Sequence, residues 1–433
     1  MSRKEKRVLK SLDICQCKSI LIASGSFKDV YSPQEACKVL KNAVEAAGYN
    51  EAITVVPMVD GGEYSADVLA SHLGARKIEV EDVIDPTGRE VVSYYVNMND
   101  TTAYIASSTI LRLSPEMSEF KNPLNLTTYG YGQLIDDALK RGYKKIILGM
   151  GGTSTVDCGI GMAQALGIKF LDKKREILHP QNGKYFTGID LTNIHNISVS
   201  NFMRTYKDTK IEVVCDADTT INQMFIPTNQ KISGYFNNER KEIIEFYDKN
   251  ISRYCEIVET YLKSKEPIRG VQYNKLKNCK YFGTAGGILL TLFALFDVCI
   301  SLGSEYFSKI FELEKLIQCS DIIITGEGKL DNSLQGKAPI GVSRLAKKHG
   351  KAVIYLVGNV DNSLKMFFDS YFSKTLPRDF ADNGVSTIIS CHPFYDSVKL
   401  PKIYRDKIDF YRKNNPKLFA EILQKHLGKS GLL

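Results

Sequence analysis

The chain alternates between short apolar runs and amphipathic stretches, a pattern typical of the strands and helices of α/β proteins. Ile20 to Ala23 and Ala52 to Pro57 are apolar runs that predict buried strands. Between them, Ser32 to Glu35 carries a capping box with proline at the first helical position, which predicts a helix that stops at Gly48. The amino terminus therefore reads as a βαβ unit.

A second βαβ pattern lies late in the chain. Asp321 to Thr325 predicts a buried strand, which we expect to end in a sharp turn at Gly326, Glu327 and Gly328. A helix to Gly350 and a strand from Ala352 to Val357 follow. Because early and late βαβ units can join into one parallel sheet, we expect both to belong to the same domain.

The material between these units has a different character. Lys77 to Asp82, Glu90 to Asn97 and Thr102 to Ala106 alternate apolar and polar residues, as one-sided strands do. The apolar stretch from Gly286 to Leu302 reads as a buried helix. We therefore predict two dissimilar α/β domains. Residues 1–84 and 281–433 form one domain around a parallel sheet, into which a mixed α/β domain of residues 85–280 is inserted.

Composition narrows the class of protein. The 433 residues exceed the usual size of one domain, and 43% hydrophobic with 24% charged residues is typical of a globular protein. The net charge of +8 is mild and spread along the chain, so neither nucleic acid nor a membrane is an expected partner. The ten cysteines have no paired spacing, and we find no signal peptide in the sequence. We therefore expect the protein to work in the reducing cytoplasm. The sequence leaves open whether the chain forms a homodimer.

Four predicted strands end in acidic or glycine-rich segments, and two lysines lie close by in the sequence. Glycine-rich loops ahead of helices present backbone N–H groups to phosphate, and carboxylates beside phosphate need a divalent cation between them. A lysine can stabilise a transferring phosphoryl group, and a carboxylate can accept the proton of an attacking hydroxyl. Phosphoryl transfer from a nucleotide is therefore the favoured reaction class. The groups are Asp60, Glu63, Gly151, Gly152, Asp157, Asp216, Asp218, Glu327 and Asp331, with Lys28 and Lys337.

Several enzyme classes are excluded by missing motifs. The chain has no GxxxxGK[ST] loop, no HRD or DFG pattern of protein kinases, and no clean GxGxxG fingerprint after a strand. Its six histidines lack the spacing of metal ligands, and no GxSxG elbow of a serine hydrolase is present.

Seven motifs in order resemble the type-1 glycerate kinases. They are SFK (26–28), PMVDGGE (57–63), NPL-x-x-TTYGYG (122–132), LGMGGTSTVDCGIGM (148–162), CDAD (215–218), GTAGG (283–287) and ITGEGKLDNSLQGKAPIGV (324–342). The resemblance covers about residues 19 to 360. It implies ATP- and Mg²⁺-dependent phosphorylation of D-glycerate, usually at the 2-hydroxyl. It also implies two dissimilar α/β domains, one with a flavodoxin- or Rossmann-like parallel sheet and one mixed α/β domain inserted into it.

Site residues follow from this resemblance as hypotheses. The catalytic set is Asp60, Asp157, Asp331, Lys28 and Lys337, and the nucleotide-binding set is Gly151, Gly152, Thr153, Gly326, Glu327 and Gly328. The substrate-binding set is Ser26, Gly61, Gly62, Glu63, Tyr104 and Gln335. The metal ligands are Asp60, Asp157 and Asp216.

The chain departs from the family pattern beside its glycine loops. Gly25 stands where the family has aspartate, and Tyr64 and Cys158 stand where it has glycine. Tyr104 replaces a glutamate, and Val156 an asparagine. Two interpretations follow. Either the kinase chemistry acts on glycerate or a closely related small hydroxy acid, or the protein is a non-catalytic module that binds a nucleotide or an organic acid.

Overall fold

The computed structural model describes residues 19–27, 30–49, 52–112, 122–199, 206, 208–224, 240–263, 276–330, 337–369, 371–373, 375–398 and 404–427. The strands are β1 (Ser19–Ile22), β2 (Ala52–Val55), β3 (Arg76–Ile84), β4 (Glu90–Asn99), β5 (Thr102–Ala106), β6 (Lys145–Met150), β7 (Lys169–Leu171), β8 (Asn196–Ser198), β9 (Lys210–Cys215), β10 (Val298–Leu302), β11 (Ile322–Leu330), β12 (Ala352–Val360), β13 (Phe368–Asp369), β14 (Phe372–Ser373) and β15 (Thr387–Ser390).

The α-helices are α1 (Pro33–Ala46), α2 (Ser65–Leu73), α3 (Ser108–Leu111), α4 (Tyr129–Lys140), α5 (Ile160–Ala165), α6 (Ile221–Met224), α7 (Arg240–Lys263), α8 (Leu289–Leu295), α9 (Gly303–Ile310), α10 (Leu313–Gln318), α11 (Ala338–Lys348), α12 (Arg378–Asp382), α13 (His392–Ser397) and α14 (Tyr404–Leu427). The capping box predicted for α1 is confirmed: the Ser32 hydroxyl accepts from the Glu35 amide, and the Glu35 carboxylate accepts from the Ser32 amide.

The chain divides into two compact units, residues 1–60 with 303–433 (unit 1) and residues 61–302 (unit 2). These bounds differ from the predicted 84/85 and 280/281. The reason is strand pairing, because β3 pairs with β4 and β10 pairs with β9 in the sheet of unit 2.

Unit 1 is built on a parallel sheet in the order β2-β1-β11-β12-β15, extended at one edge by the antiparallel β14 and β13. When these five parallel strands are renumbered 1 to 5 in chain order, their order in the sheet is 2-1-3-4-5, which is the flavodoxin-like arrangement. Alternate residues of β12 enter two separate cores: Ile354 and Leu356 on one face, and Tyr355 and Val357 on the other. The predicted parallel sheet is therefore confirmed.

Unit 2 is built on a mixed sheet in the order β10-β9-β6-β5-β4-β3. Strands β5, β6, β9 and β10 pair in parallel, whereas β4 runs antiparallel to both of its neighbours, β3 and β5. The predicted helix from Gly286 to Leu302 is wrong in its second half. The chain becomes extended at Phe296, and the β-branched Val298 and Ile300 then pair with β9.

No helix in the described part of the chain is both long and apolar enough to cross a membrane.

Candidate functional site

The carboxyl ends of β1 and β11 lie side by side in unit 1, at the point where the strand order reverses. The segment after β1 is fixed to β11 by three hydrogen bonds: Ala23 N–H to the Ile324 carbonyl (2.8 Å), Thr325 Oγ1–H to the Ala23 carbonyl (2.6 Å) and Ser24 Oγ–H to the Gly326 carbonyl (3.1 Å). Ligands of flavodoxin-like sheets bind at this switch point. The partly exposed Ser26 follows directly at this edge.

The turn predicted at residues 326–328 is wrong. β11 continues through both glycines to Leu330, and Glu327 pairs with Val357 of β12. A Cβ on Gly326 would overlap the backbone carbonyl of Leu356. Close approach of the neighbouring strand, and not a turn, is therefore what requires glycine here. Because Gly326 is buried within the strand, its predicted role as a phosphate-binding amide does not fit this geometry.

Glu327 and Lys337 form a partly buried ion pair at the same edge. The Lys337 Nζ lies 3.0 Å from Glu327 Oε2, and the Tyr355 hydroxyl donates to Glu327 Oε1 at 2.8 Å. Glu327 is 8% exposed and Tyr355 is fully buried. Two donors therefore hold the carboxylate, which in turn holds the lysine amine. Sequence reasoning missed Tyr355, because it lies in an apolar run that reads only as a strand.

Asp60 lies beyond the end of β2 at this edge. The Met58 amide donates to the Ser24 carbonyl at 2.9 Å, so the segment after β2 runs beside the segment after β1. A Cβ on Gly303, the first residue of α9, would overlap the Asp60 carbonyl. The Asp60 backbone is thus fixed by close packing, and Asp60 is partly exposed.

In unit 2, the loop at Gly61 and Gly62 is anchored by hydroxyl groups. The Gly62 carbonyl accepts from Ser65 Oγ (2.7 Å) and Ser108 Oγ (3.1 Å). The Tyr104 hydroxyl donates to Ser65 Oγ at 2.8 Å. Tyr104 was predicted to bind substrate, but it is fully buried and supports the loop from beneath.

The glycine-rich loop after β6 has the left-handed backbone that its sequence requires. Gly151 and Gly152 have φ of 155° and 65°, and a Cβ on Gly151 would overlap the carboxylate of Asp216. The Gly151 amide donates to Ser107 Oγ at 3.1 Å, so it already has a partner within the protein. Gly152 and Thr153 are the partly exposed members of the predicted nucleotide-binding set in this loop.

Asp157 is a positioning carboxylate in this structure. It is fully buried, and its oxygens accept from the Thr128 amide (3.0 Å), the Thr128 hydroxyl (2.8 Å), the Gly159 amide (3.0 Å) and the Gly161 amide (3.2 Å). Burial raises the pKa of Asp157 to about 6, and these hydrogen bonds oppose the rise only in part. In this structure each oxygen of Asp157 accepts at least one protein donor, and its predicted roles as metal ligand and general base stay predictions.

Arg112 is a second residue that sequence reasoning missed. Its Nη1 lies 3.6 Å from Glu63 Oε2, directly after α3. The Ser154 amide donates to the Leu111 carbonyl at 2.9 Å, so the glycine-rich loop is tied to the end of α3. A Cβ on Gly152 would lie 2.7 Å from Glu63 Cγ. The only sequence signal was a charged residue that directly follows an apolar pair.

Two positions where the family pattern has glycine have a left-handed backbone in this chain. Tyr64 and Cys158 have φ of 64° and 55°, the left-handed region that L-residues rarely adopt. Tyr64 precedes α2, and the fully buried Cys158 follows Asp157. The surrounding fold therefore imposes this backbone conformation on both residues.

Each unit thus gathers part of the predicted set. Unit 1 places Ser26, Asp60, Glu327 and Lys337 at the carboxyl edge of its sheet, and unit 2 places Gly61, Gly62, Glu63, Gly151, Gly152, Thr153 and Asp216 at the carboxyl edge of its own. The predictions for Lys28, Asp331 and Gln335 fall outside the described residues. Within the described ranges, no group of three or more His, Cys, Asp or Glu side chains is placed to hold a metal ion.

Comparison with known proteins gives a consistent result. The model of the glycerate kinase family matches residues 20–379. A glycerate kinase of Bacillus subtilis (strain 168) is 30% identical over 79% of this chain and 85% of its own length. A glycerate 2-kinase of Escherichia coli (strain K12) is 30% identical over 80% of this chain and 86% of its own length.

A crystal structure from Salmonella typhimurium LT2, of a protein provisionally assigned as glycerate kinase 2, is similar in fold. It has a TM-score of 0.65 and 24% identity, and the match covers 96% of this chain and 99% of that one.

Proposed function

The chain belongs to the glycerate kinase family, and on that premise we propose that it transfers the terminal phosphoryl group of ATP to a hydroxyl of D-glycerate. The observation that carries the proposal is the family match across residues 20–379, which includes the carboxyl edges of both sheets. We assign the 2-hydroxyl as the acceptor, which makes 2-phosphoglycerate the product. The relative from Escherichia coli, a glycerate 2-kinase, supports this choice.

The Glu327–Lys337 pair supports a phosphate-binding role for unit 1. Lys337 is one quarter exposed, whereas its partner carboxylate is almost buried. Because a fixed carboxylate holds the lysine amine, the positive charge of the amine has a defined position, from which it can bind a phosphate oxygen. We therefore assign Lys337 to the phosphate groups of the nucleotide or to the transferring phosphoryl group, with Glu327 as the residue that positions it.

Unit 2 supplies backbone donors and a carboxylate. Gly152 and Thr153 belong to a partly exposed glycine-rich loop, which suits contact with phosphate. Asp216 directly follows β9 and packs against Gly151. Mg²⁺ commonly takes only one or two protein carboxylates, with phosphate oxygens and waters as its other ligands. The partly exposed Asp216 fits that requirement, and Asp60 stays a proposed ligand.

The metal would neutralise charge on the phosphate oxygens. The roles proposed for Lys28, Asp331 and Gln335 depend on the sequence motif alone. We place the reaction in a reducing cytoplasm, because Cys37, Cys158, Cys215 and Cys391 are buried thiols that pack as small apolar groups.

The proposal is tested by an assay that couples ATP consumption to a panel of small hydroxy acids, with and without Mg²⁺. We expect turnover with D-glycerate, and we expect the product to be consumed by enolase, which acts on 2-phosphoglycerate but not on 3-phosphoglycerate. Turnover of a different acid would reassign the substrate. Nucleotide binding without turnover of any acid would support the non-catalytic alternative and contradict the proposal.

Two lysines at the opposite ends of α11, the N-cap Lys337 and the last helical residue Lys348, provide a matched pair of variants. Lys337→Ala should lower kcat by about 100-fold or more, the loss typical when one charge-stabilising donor is removed. Lys348→Ala removes the lysine at the other end of α11, which pairs with Glu314 on the surface at 2.8 Å. The second variant should retain the activity of the parent protein. Equal activity of both variants would remove Lys337 from the site.

A further inference from the structure

Arg112 and Glu63 are the starting point, because they place opposite charges side by side at the carboxyl edge of the unit 2 sheet. The side chains are 31% and 15% exposed, so both reach solvent from a largely enclosed position. Their N–O separation of 3.6 Å is longer than the 2.7–2.9 Å of a direct charge-assisted hydrogen bond. The pair is therefore loosely joined, unlike the close contact that Arg141 makes with Asp137 at 2.7 Å.

The backbone around the pair is fixed. Glu63 follows Gly62, whose carbonyl accepts two serine hydroxyls, and its side chain packs where Gly152 has no Cβ. Arg112 follows Leu111, whose carbonyl accepts from the glycine-rich loop. Both side chains therefore project from anchored backbone, as the polar groups of a preformed binding site do.

A hydroxy acid matches the chemistry of this pair. The planar guanidinium of arginine binds a carboxylate through two parallel N–H donors, whereas a glutamate accepts hydrogen bonds from hydroxyl groups. The carboxylate and a hydroxyl are neighbours in a hydroxy acid, and Arg112 and Glu63 are neighbours in the protein. An acid without a hydroxyl, or a polyol without a charge, would satisfy only one side of the pair.

We propose that Arg112 binds the carboxylate of the acid substrate and that Glu63 accepts a hydrogen bond from one of its hydroxyls. The inference deepens the proposed function, on which it rests for the identity of the acid. It adds Arg112 to the site and makes this residue the reason that the protein selects an acid over the corresponding neutral compound.

The test compares D-glycerate with its uncharged amide, glyceramide, in calorimetric binding and in turnover. The parent protein should bind the acid about 10- to 100-fold more tightly than the amide, the range that hydrogen bonds to a charged group contribute. Arg112→Gln should weaken binding of the acid by the same factor and leave binding of the amide unchanged. Arg112→Lys, which keeps the charge, should recover part of the preference.

Two further variants separate this role from a structural one. Glu63→Gln should keep the preference for the acid while weakening both ligands. Arg141→Gln removes an arginine of the same unit, which directly follows α4 and pairs with Asp137 of that helix. This variant should bind both ligands like the parent protein. Equal weakening of acid and amide in Arg112→Gln, or no weakening of either, would overturn the proposal.

Failure of the inference can be told apart from failure of the proposed function. Turnover of D-glycerate with an unchanged acid preference in Arg112→Gln would sink the inference alone. Binding of D-glycerate that depends on Arg112, without any turnover, would sink the proposed function alone. A parent protein that neither binds nor phosphorylates the acid would refute both. If Arg112→Gln does not fold, Arg112→Lys and Glu63→Gln provide the same comparison of the two ligands.

Discussion

Asp157→Asn is the substitution for which the structure gives the sharpest expectation. Burial raises the pKa of Asp157 from an ordinary value of 3.8 to about 6. A carboxyl group with a higher pKa in the folded state binds its proton more tightly when folded. Its contribution to the free energy of unfolding is therefore complete below about pH 4 and is lost as the pH rises through about 6.

The size of this loss follows from the two pKa values. At about 1.4 kcal/mol per pKa unit, the complete loss is about 3 kcal/mol, of which about 1.4 kcal/mol falls between pH 5 and pH 8. Asparagine does not ionise, so the variant lacks this term. It also lacks one acceptor oxygen for the donors that surround Asp157, which lowers its stability by an amount that does not depend on pH.

The measurement is urea unfolding of both proteins, followed by circular dichroism at pH 5 and pH 8. The parent protein's advantage over the variant should shrink by about 1.4 kcal/mol from pH 5 to pH 8. Thr128→Val, which removes one hydroxyl donor to the carboxylate, should move the loss to higher pH. An advantage that grows toward pH 8 would refute the reasoning, since the hydrogen bonds would then outweigh burial.

Three further substitutions test the packing of the two edges. Gly326→Ala should destabilise unit 1 by about 2 kcal/mol or more, because its Cβ overlaps backbone that cannot rotate away; thermal unfolding measures this. Tyr355→Phe should cost about 1–2 kcal/mol and lower kcat, because Glu327 loses a buried donor; unfolding and ATP turnover measure it. Tyr104→Phe should cost about 1 kcal/mol, because Ser65 loses its buried partner, and should leave KM for the acid unchanged; unfolding and steady-state kinetics measure these effects.

Each of these expectations has a result that contradicts it. A Gly326→Ala variant as stable as its parent would mean that β11 and β12 separate easily at this point. Unchanged turnover in Tyr355→Phe would mean that Glu327 positions Lys337 without help. A large rise in KM for the acid in Tyr104→Phe, without loss of stability, would return Tyr104 to direct contact with substrate.

Local sequence signals predicted the elements whose causes are local. The capping box at Ser32 and Glu35 fixed the start of α1, and the apolar runs located most strands of both sheets. The glycines at 326 and 328 were misread, because a glycine that admits a neighbouring strand looks the same in sequence as a glycine that forms a turn. Only the pairing of β11 with β12 distinguishes the two.

The candidate site residues divide in the same way. Glu327 and Lys337 were identifiable, because their motif is continuous in sequence. Arg112 and Tyr355 were not, since each meets its partner through a tertiary contact across 49 or 28 positions. Asp157 is the opposite case: its motif is conspicuous, but the burial of its carboxylate, which sequence does not reveal, came only from the structure.

The pairing of β1 with β11 has a consequence for biosynthesis. Ile20 lies opposite Ile322, so a ribosome must add about 300 residues before β1 can pair with β11, its neighbour on the side away from β2. At about 5–20 residues per second, that wait lasts roughly 15 to 60 seconds. Unit 2 emerges complete during this interval, so we expect it to fold first. Until β11 is made, the apolar side chains of β1 can be shielded from water only by α1, β2 or a chaperone.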